Sequence, residues 1–261
     1  MKRLLSFVLI ATFLFTPAVN AAPKKISVKA MQLVTTVGTP EEVSGVVASG
    51  KSLIVYGSKA AKAYARAVDT TGIELWNISL DQSPASIATA AVVDSVGDIW
   101  IAGATPLALG LIAPSPAVTP VNPDNTAAPP TTAVGNLQAV TLWKVTAAGV
   151  LAGTSTLPTS SVVFPTAISV DRNGASLVGI IGTEKGSAGF FVNADKAGLF
   201  GKLLQIGSAS TTADAVVRHT DGSFTVAGSS SEVLAGKKLA GITDGVLIKI
   251  SKTLKITNVV R

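Results

Sequence analysis

The chain has 261 residues, of which 48% are hydrophobic, 14% charged and 5% aromatic, with 24 Gly, 13 Pro, one His and no Cys, and its formal net charge is +6. With no thiol and a single imidazole it has almost nothing from which to build a zinc site, a thiol nucleophile or a His-based triad. Its charged fraction also falls well below the roughly 25% of ordinary globular proteins.

The N-terminus carries Lys2 and Arg3 ahead of an almost wholly apolar stretch, residues 4–15, followed by Pro17, Val19 and Ala21. A twelve-residue apolar run is an h-region and is too short to span a bilayer, which takes roughly 20 residues. Val19 and Ala21 suit the −3 and −1 pockets of a signal peptidase, so residues 1–21 are predicted to be a secretory signal peptide cut after Ala21. The product is then secreted, periplasmic or held at the cell surface. No Cys stands at the cleavage point to take a lipid, and no second membrane span is expected.

Removing 21 residues, two of them basic, leaves 240 with a net charge of +4. The basic residues are scattered, and no aromatic-interleaved basic stripe accompanies them, so nucleic acid is not an expected partner. Anionic cell-envelope polymers fit the sign better. An exported chain without cysteine has no disulfides, so its stability must come from buried apolar area, which a chain of this length can supply.

Four segments share one shape: a β-rich run, a turn, and a second β-rich run closing on glycine. In chain order they are 43–50 leading to 53–57, 87–97 leading to 99–103, 166–174 leading to 177–182, and 213–222 leading to 224–228. The closing glycines Gly57, Gly103, Gly182 and Gly228 lie 46, 79 and 46 residues apart, so one unit carries an insertion. Each unit has a second half of two further runs: 64–69 with 73–80, 139–145 with 150–157, 190–192 with 199–206, and 245–250 with 254–260. Alternation at period two, β-branched residues and Gly or Asp turns make these strands. Four strands per unit of this length predict an all-β chain, a β-propeller of about four four-stranded blades filling residues 22–261 as a single domain.

The segments 244–250, 91–103 and 72–76 resemble bacterial extracellular propeller repeats of the SBBP type, whose blades read roughly AVDxxGxxYVxG and later DAFVxKLxxxG. The resemblance covers nearly the whole mature chain and rests on turn glycines and strand alternation. The first three units depart from it by lacking the aspartate before the third strand. It implies a fold and an extracellular location, and no shared catalytic set.

The insertion, 104–136, holds Pro106, Pro114, Pro116, Pro120, Pro123, Pro129 and Pro130. It is predicted to leave the sheet as an extended excursion between the second and third strands of the second blade, a candidate docking or glycosylated loop. Residues 26–37 read as one more strand ahead of the first blade. Two arrangements follow: a closed four-blade ring with that strand at the seam, or an open array whose exposed strand edges pair with another chain.

Chemistry-bearing residues are few. His219 sits beside the turn at Asp221 and Gly222 and reads as a solvent-exposed turn residue. Asp69, Asp94, Asp171 and Asp221 each precede a turn glycine, yet no calcium-loop pattern is present, and aspartate at a turn start is explained by its side chain accepting backbone hydrogen bonds. Trp76, Trp100 and Trp143 fall on strands, and Trp143 takes the place in its unit that Ile248 takes in the fourth, which makes it core. No catalytic, cofactor or metal residues are therefore assigned and no cofactor is expected. The expectation is a secreted, non-enzymatic propeller that binds a protein or envelope polymer. The alternatives are a propeller enzyme of lyase or glycosidase type, or a structural subunit of a surface assembly.

Overall fold

The computed structural model describes residues 41–81, 85–107 and 136–261, all within one compact unit, Val34–Arg261. The predicted signal peptide, the predicted strand at 26–37 and residues 108–135 of the insertion lie outside the described residues.

Among the described residues sixteen strands form four sheets, and each sheet runs in sequence order with antiparallel neighbours. Blade one holds β1 (Glu41–Ser49), β2 (Ser52–Lys59), β3 (Lys62–Val68) and β4 (Glu74–Ser79). Blade two holds β5 (Ile87–Val93), β6 (Ile99–Pro106), β7 (Leu137–Val145) and β8 (Leu151–Pro158). Blade three holds β9 (Val163–Asp171), β10 (Gly174–Thr183), β11 (Gly186–Asp195) and β12 (Leu204–Ile206), and blade four holds β13 (Ala215–Arg218), β14 (Phe224–Ser230), β15 (Asp244–Ile250) and β16 (Ile256–Val260). The insertion does interrupt the β6–β7 hairpin. The strand outlasts the expected break, however: Ala104, Thr105 and Pro106 belong to β6, and Pro106 opposes Leu137 at a register shift on the strand's last position, where a missing N–H is tolerated.

The hairpin turns repeat one hydrogen-bond scheme. In blade two the Asp94 amide donates to the Asp98 carbonyl and the Gly97 amide to the Asp94 carbonyl, while the Asp94 carboxylate accepts from the amides of Val96 and Asp98. Gly97 has φ +94°, a conformation that favours glycine. Asp69 and Asp195 do the same in theirs. In blade four His219 takes the first position, and Asp221, two residues on, accepts from Ser223.

A second recurrence sits inside the blades. The first strand of each blade has one extra residue, so its register jumps between Val43 and Gly45, between Ala88 and Ala90, and across Thr166; blade four does the same ahead of β13, where the amides of Thr212 and Asp214 donate to Ser229 and Ala227. Such a bulge bends the strand and aims a carbonyl across the sheet. Facing it on the second strand stands a glycine: Gly57 under the carbonyl of Glu42, Gly103 under that of Ile87, Gly179 under that of Phe164, and Gly228 under that of Thr212. Any Cβ there would overlap the carbonyl oxygen. Blade three thus differs from the sequence reading. Gly182, taken as its closing glycine, has ordinary space around it, and Gly179 occupies the position equivalent to Gly57, Gly103 and Gly228.

Register on these glycines aligns the blades. Ile101 pairs with Trp143 in blade two and Val226 with Ile248 in blade four, each two residues before the glycine, so Trp143 and Ile248 are equivalent, and both are fully buried.

Between successive blades lie three apolar layers. Tyr56 and Ala65 of blade one meet Ile99, Ile101 and Trp143 of blade two. Ala102 and Leu142 of blade two meet Leu177, Phe190 and Val192 of blade three. Val178 and Phe191 of blade three meet Phe224, Val226 and Ile248 of blade four. Each layer removes several large side chains from water at about 1.5–3 kcal/mol apiece. Among the described residues no fourth layer joins blade four to blade one, so the described blades form an open array.

Candidate functional site

A cleft of about 680 Å³ opens where the turn ends of blades two and three meet, with Thr220 of blade four at its margin. Its apolar wall is Val93, Val96, Trp100 and Val170, and its polar groups are Asp94, Ser95, Lys144, Asp171, Arg172, Asn173, Lys196 and Thr220. The same turns that fix the blades place these side chains, because Asp94–Val96, Asp171–Asn173 and Lys196 belong to three hairpin turns.

The two carboxylates are already engaged. Asp94 accepts from Trp100 Nε1 at 2.9 Å as well as from its own turn. Burial raises its carboxyl, but the Trp100 bond, the Val96 and Asp98 amides and the Lys144 charge outweigh that and hold it below the usual aspartate value. Asp171 pairs with Arg218 Nη2 at 3.0 Å and accepts from the Asn173 amide. Burial again raises it and these partners prevail, leaving it low. Arg218 is itself pinned, donating through Nη1 to the Ala175 carbonyl at 3.0 Å and to Ser176 Oγ at 2.7 Å. Lys144 lies 3.0 Å from Asp98 and 4.9 Å from the Trp100 ring centroid, a cation–π arrangement.

Arg172 and Lys196 form no ion pair among the described residues. The cleft thus presents two uncommitted cations, a third held over Trp100, and hydroxyl and amide groups from Ser95, Thr220 and Asn173. Chemically this can hold an anion and hydrogen-bond a polar ligand. The ionised aspartates can serve as fixed negative charges or as bases.

The residues singled out from sequence disperse around this cleft. Asp94 and Asp171 line it, and both behave as turn formers, as do Asp69 and Asp221. His219 is exposed and its Nε2 lies 2.8 Å from Thr225 Oγ1. Trp100 is buried in the cleft wall, Trp143 is core, and Trp76 packs half-buried on the Gly149 turn of blade two with its Nε1 donating to the Ala147 carbonyl at 3.2 Å. Among the described residues no group of three or more His, Asp or Glu is arranged to hold a metal ion. Sequence reasoning missed Arg172 and Lys196. The only signal was that each follows a turn aspartate, Asp171 and Asp195.

It also missed Glu232. Its Oε1 accepts from the amides of Ser208, Ala209 and Ser210 and from Thr211 Oγ1, and its Oε2 from Ser208 Oγ. Burial raises this carboxyl, yet the Ser208 amide, the Thr211 and Ser208 hydroxyls and the Ala209 amide bring it down to about 2. A folded value below the unfolded one means stability that is present at neutral pH and lost as pH falls from the ordinary glutamate range toward 2. Glu232→Gln is expected to cost about 1–2 kcal/mol at neutral pH, allowing for partial exposure, and to flatten that acid-side loss. Thermal melts between neutral pH and pH 3 check both.

Fold and cleft define the class, a propeller-type protein of four-stranded blades with a basic cleft at the turn ends. No family model and no curated protein matches the chain. Among solved structures it is similar to a lignostilbene dioxygenase from Pseudomonas brassicacearum, with TM-score 0.50 and 10% identity over 82% of this chain and 45% of that one. It is also similar to a Dyadobacter fermentans protein of unknown function, with TM-score 0.50 and 10% identity over 83% of this chain and 67% of that one. An α-L-arabinofuranosidase from Clostridium thermocellum aligns at TM-score 0.43 and 12% identity over 82% of this chain and 70% of that one. The chain thus spans less than half the length of the dioxygenase. The expectation that the chain is not an enzyme is corrected by the first of these matches: a dioxygenase occurs among the chains that share its fold. Scarcity of His and Cys excludes particular chemistries, whereas carboxylate, lysine and arginine chemistry is still available in the cleft.

Proposed function

We propose that the chain is an exported propeller-type protein that takes an anionic, hydroxyl-bearing ligand, of the class of acidic sugars and their polymers, in the cleft between blades two and three. The observation that carries this is the convergence of Arg172 and Lys196 on a cleft whose ionised aspartates are already engaged, Asp94 by Trp100 and its own turn and Asp171 by Arg218. An incoming carboxylate meets unspent positive charge, and Ser95, Asn173 and Thr220 offer bonds to hydroxyls. Export is supported by Lys2, Arg3 and the apolar run 4–15, and by the resemblance to SBBP-type extracellular repeats.

The second reading is that the bound ligand is turned over, in the manner of a lyase or glycosidase. It is favoured by the sharing of this fold with a dioxygenase. One experiment addresses both. The secreted chain, its N-terminus sequenced and expected to begin at Ala22, is titrated with oligogalacturonates and with neutral oligosaccharides of equal length, and the mixtures are examined for cleavage products. Binding of the acidic series alone is expected, weakened about tenfold or more by Arg172→Ala or Lys196→Ala. Equal binding of both series, or indifference to both substitutions, would overturn the assignment, and products that disappear in the Lys196→Ala variant would establish turnover.

A further inference from the structure

The register that aligns blades one and two on their bulge glycines also aligns their outer strands. Three residues before Gly57, the row Ile54, Ala67 and Trp76 crosses blade one. Three residues before Gly103, the row Trp100, Lys144 and Gly153 crosses blade two. The turns that meet these outer strands from the next blade correspond as well. In blade two the Gly149 amide donates to the Thr146 carbonyl, and in blade three the Gly198 amide donates to the Asp195 carbonyl, so Ala147 and Lys196 take the same place in their turns.

At the first junction Trp76 fills the space between strand and turn. Its ring leaves no room for a Cβ at Gly149, and its Nε1 donates to the Ala147 carbonyl at 3.2 Å. At the second junction Gly153 stands where the tryptophan would be, exposed, with nothing within 4 Å of the position its Cβ would take. The space left is a groove of about 240 Å³, walled by Leu142, Ala152 and Ser155 of blade two and by Ala197 and Gly198 of blade three. Trp100, Lys144 and Lys196 line both this groove and the larger cleft, so the two adjoin. Two differences between equivalent positions, glycine for tryptophan and lysine for alanine, thus open a gap and set a cation beside it.

We propose that the groove is an outer subsite of the cleft, and that the ligand is an extended acidic polymer with one unit at Arg172 and the next beyond Lys196, toward Gly153. This rests on the ligand reading and adds to it a direction and a minimum length of two units. Lys196, without an ion pair among the described residues, stands between the two compartments and can meet a carboxylate in either. Lys144, held 4.9 Å from the Trp100 ring centroid and 3.0 Å from Asp98, adds a fixed positive charge at the same boundary. The groove ends on β8, the outermost strand of its sheet, where Ala152 and Gly153 are exposed. A polymer can therefore continue past this edge into solvent, which a pocket shaped for a single sugar would not require.

Calorimetric titration of the secreted chain with galacturonic acid and with its tetramer tests this. The tetramer is expected to bind at least about tenfold more tightly than the monomer, because it engages both subsites. Gly153→Trp places at the second junction the side chain that closes the first, and is expected to reduce that gain to about threefold or less. Gly153→Leu, a smaller plug, is expected to reduce it too, and thermal melts report whether each variant is folded. Equal binding of monomer and tetramer by the wild type, or a folded Gly153→Trp or Gly153→Leu variant that keeps the full gain, would overturn the outer subsite and leave the ligand reading standing. Failure of both lengths to bind would overturn the ligand reading and the subsite with it.

Discussion

Gly103→Ala is expected to cost about 3 kcal/mol or more, while the same change at Gly153 should be neutral or stabilise by about 0.5 kcal/mol. Both glycines are in strands of blade two. At Gly103 the added methyl meets the backbone carbonyl of Ile87 on one side and lies 2.6 Å from Trp143 Cζ3 on the other, and neither neighbour can yield. The carbonyl is fixed by the bulge, and the indole is fully buried in the layer between blades one and two. At Gly153 nothing lies within 4 Å, so alanine only restricts the unfolded chain. Urea denaturation of the two variants gives the comparison, and equal costs would show that the glycines serve chain flexibility rather than close approach.

Trp143→Ala is the second large effect, at about 3–5 kcal/mol, because the lost indole leaves a cavity against Ile99, Ile101 and Ala65. The Trp143 Nε1 is buried without a hydrogen-bond partner among the described residues. Trp143→Phe removes that unsatisfied donor while keeping a ring over Gly103, so it should cost less than about 1.5 kcal/mol. Calorimetric melts of the three proteins should therefore rank wild type and the Phe variant together, well above the Ala variant. An Ala variant that melts near wild type would mean that the layer relaxes around the loss.

The strands were legible because their signal is local. Period-two alternation over runs such as 244–250, closed by turn residues, leaves no competing helical reading, and the equivalence of Trp143 with Ile248 needed only counting from the turns. Gly182 was misjudged because β10 carries two glycines three apart. Only the carbonyl of Phe164, placed by a bulge that spacing does not reveal, distinguishes Gly179 from Gly182. The cleft was not legible because it belongs to no single unit. Arg172 and Lys196 come from two turns of blade three, and Asp94, Ser95, Val96, Trp100 and Lys144 of blade two face them only after the two blades have packed through Leu142, Leu177 and Phe190. Glu232 was hidden for a related reason: its partners are the backbone amides at 208–210, which leave no trace in residue identity. The aspartates were read correctly as turn formers, since an Asx turn is a short-range event.

The central claim, that an anionic ligand occupies the cleft between blades two and three, is tested most directly by hydrogen exchange of the secreted chain with and without a saturating oligogalacturonate. New protection is expected in the turns holding Asp94, Ser95 and Val96, Arg172 and Asn173, and Lys196, and not in the strands of blade four. Protection confined to other surfaces, or none at a ligand concentration that saturates binding, would contradict it.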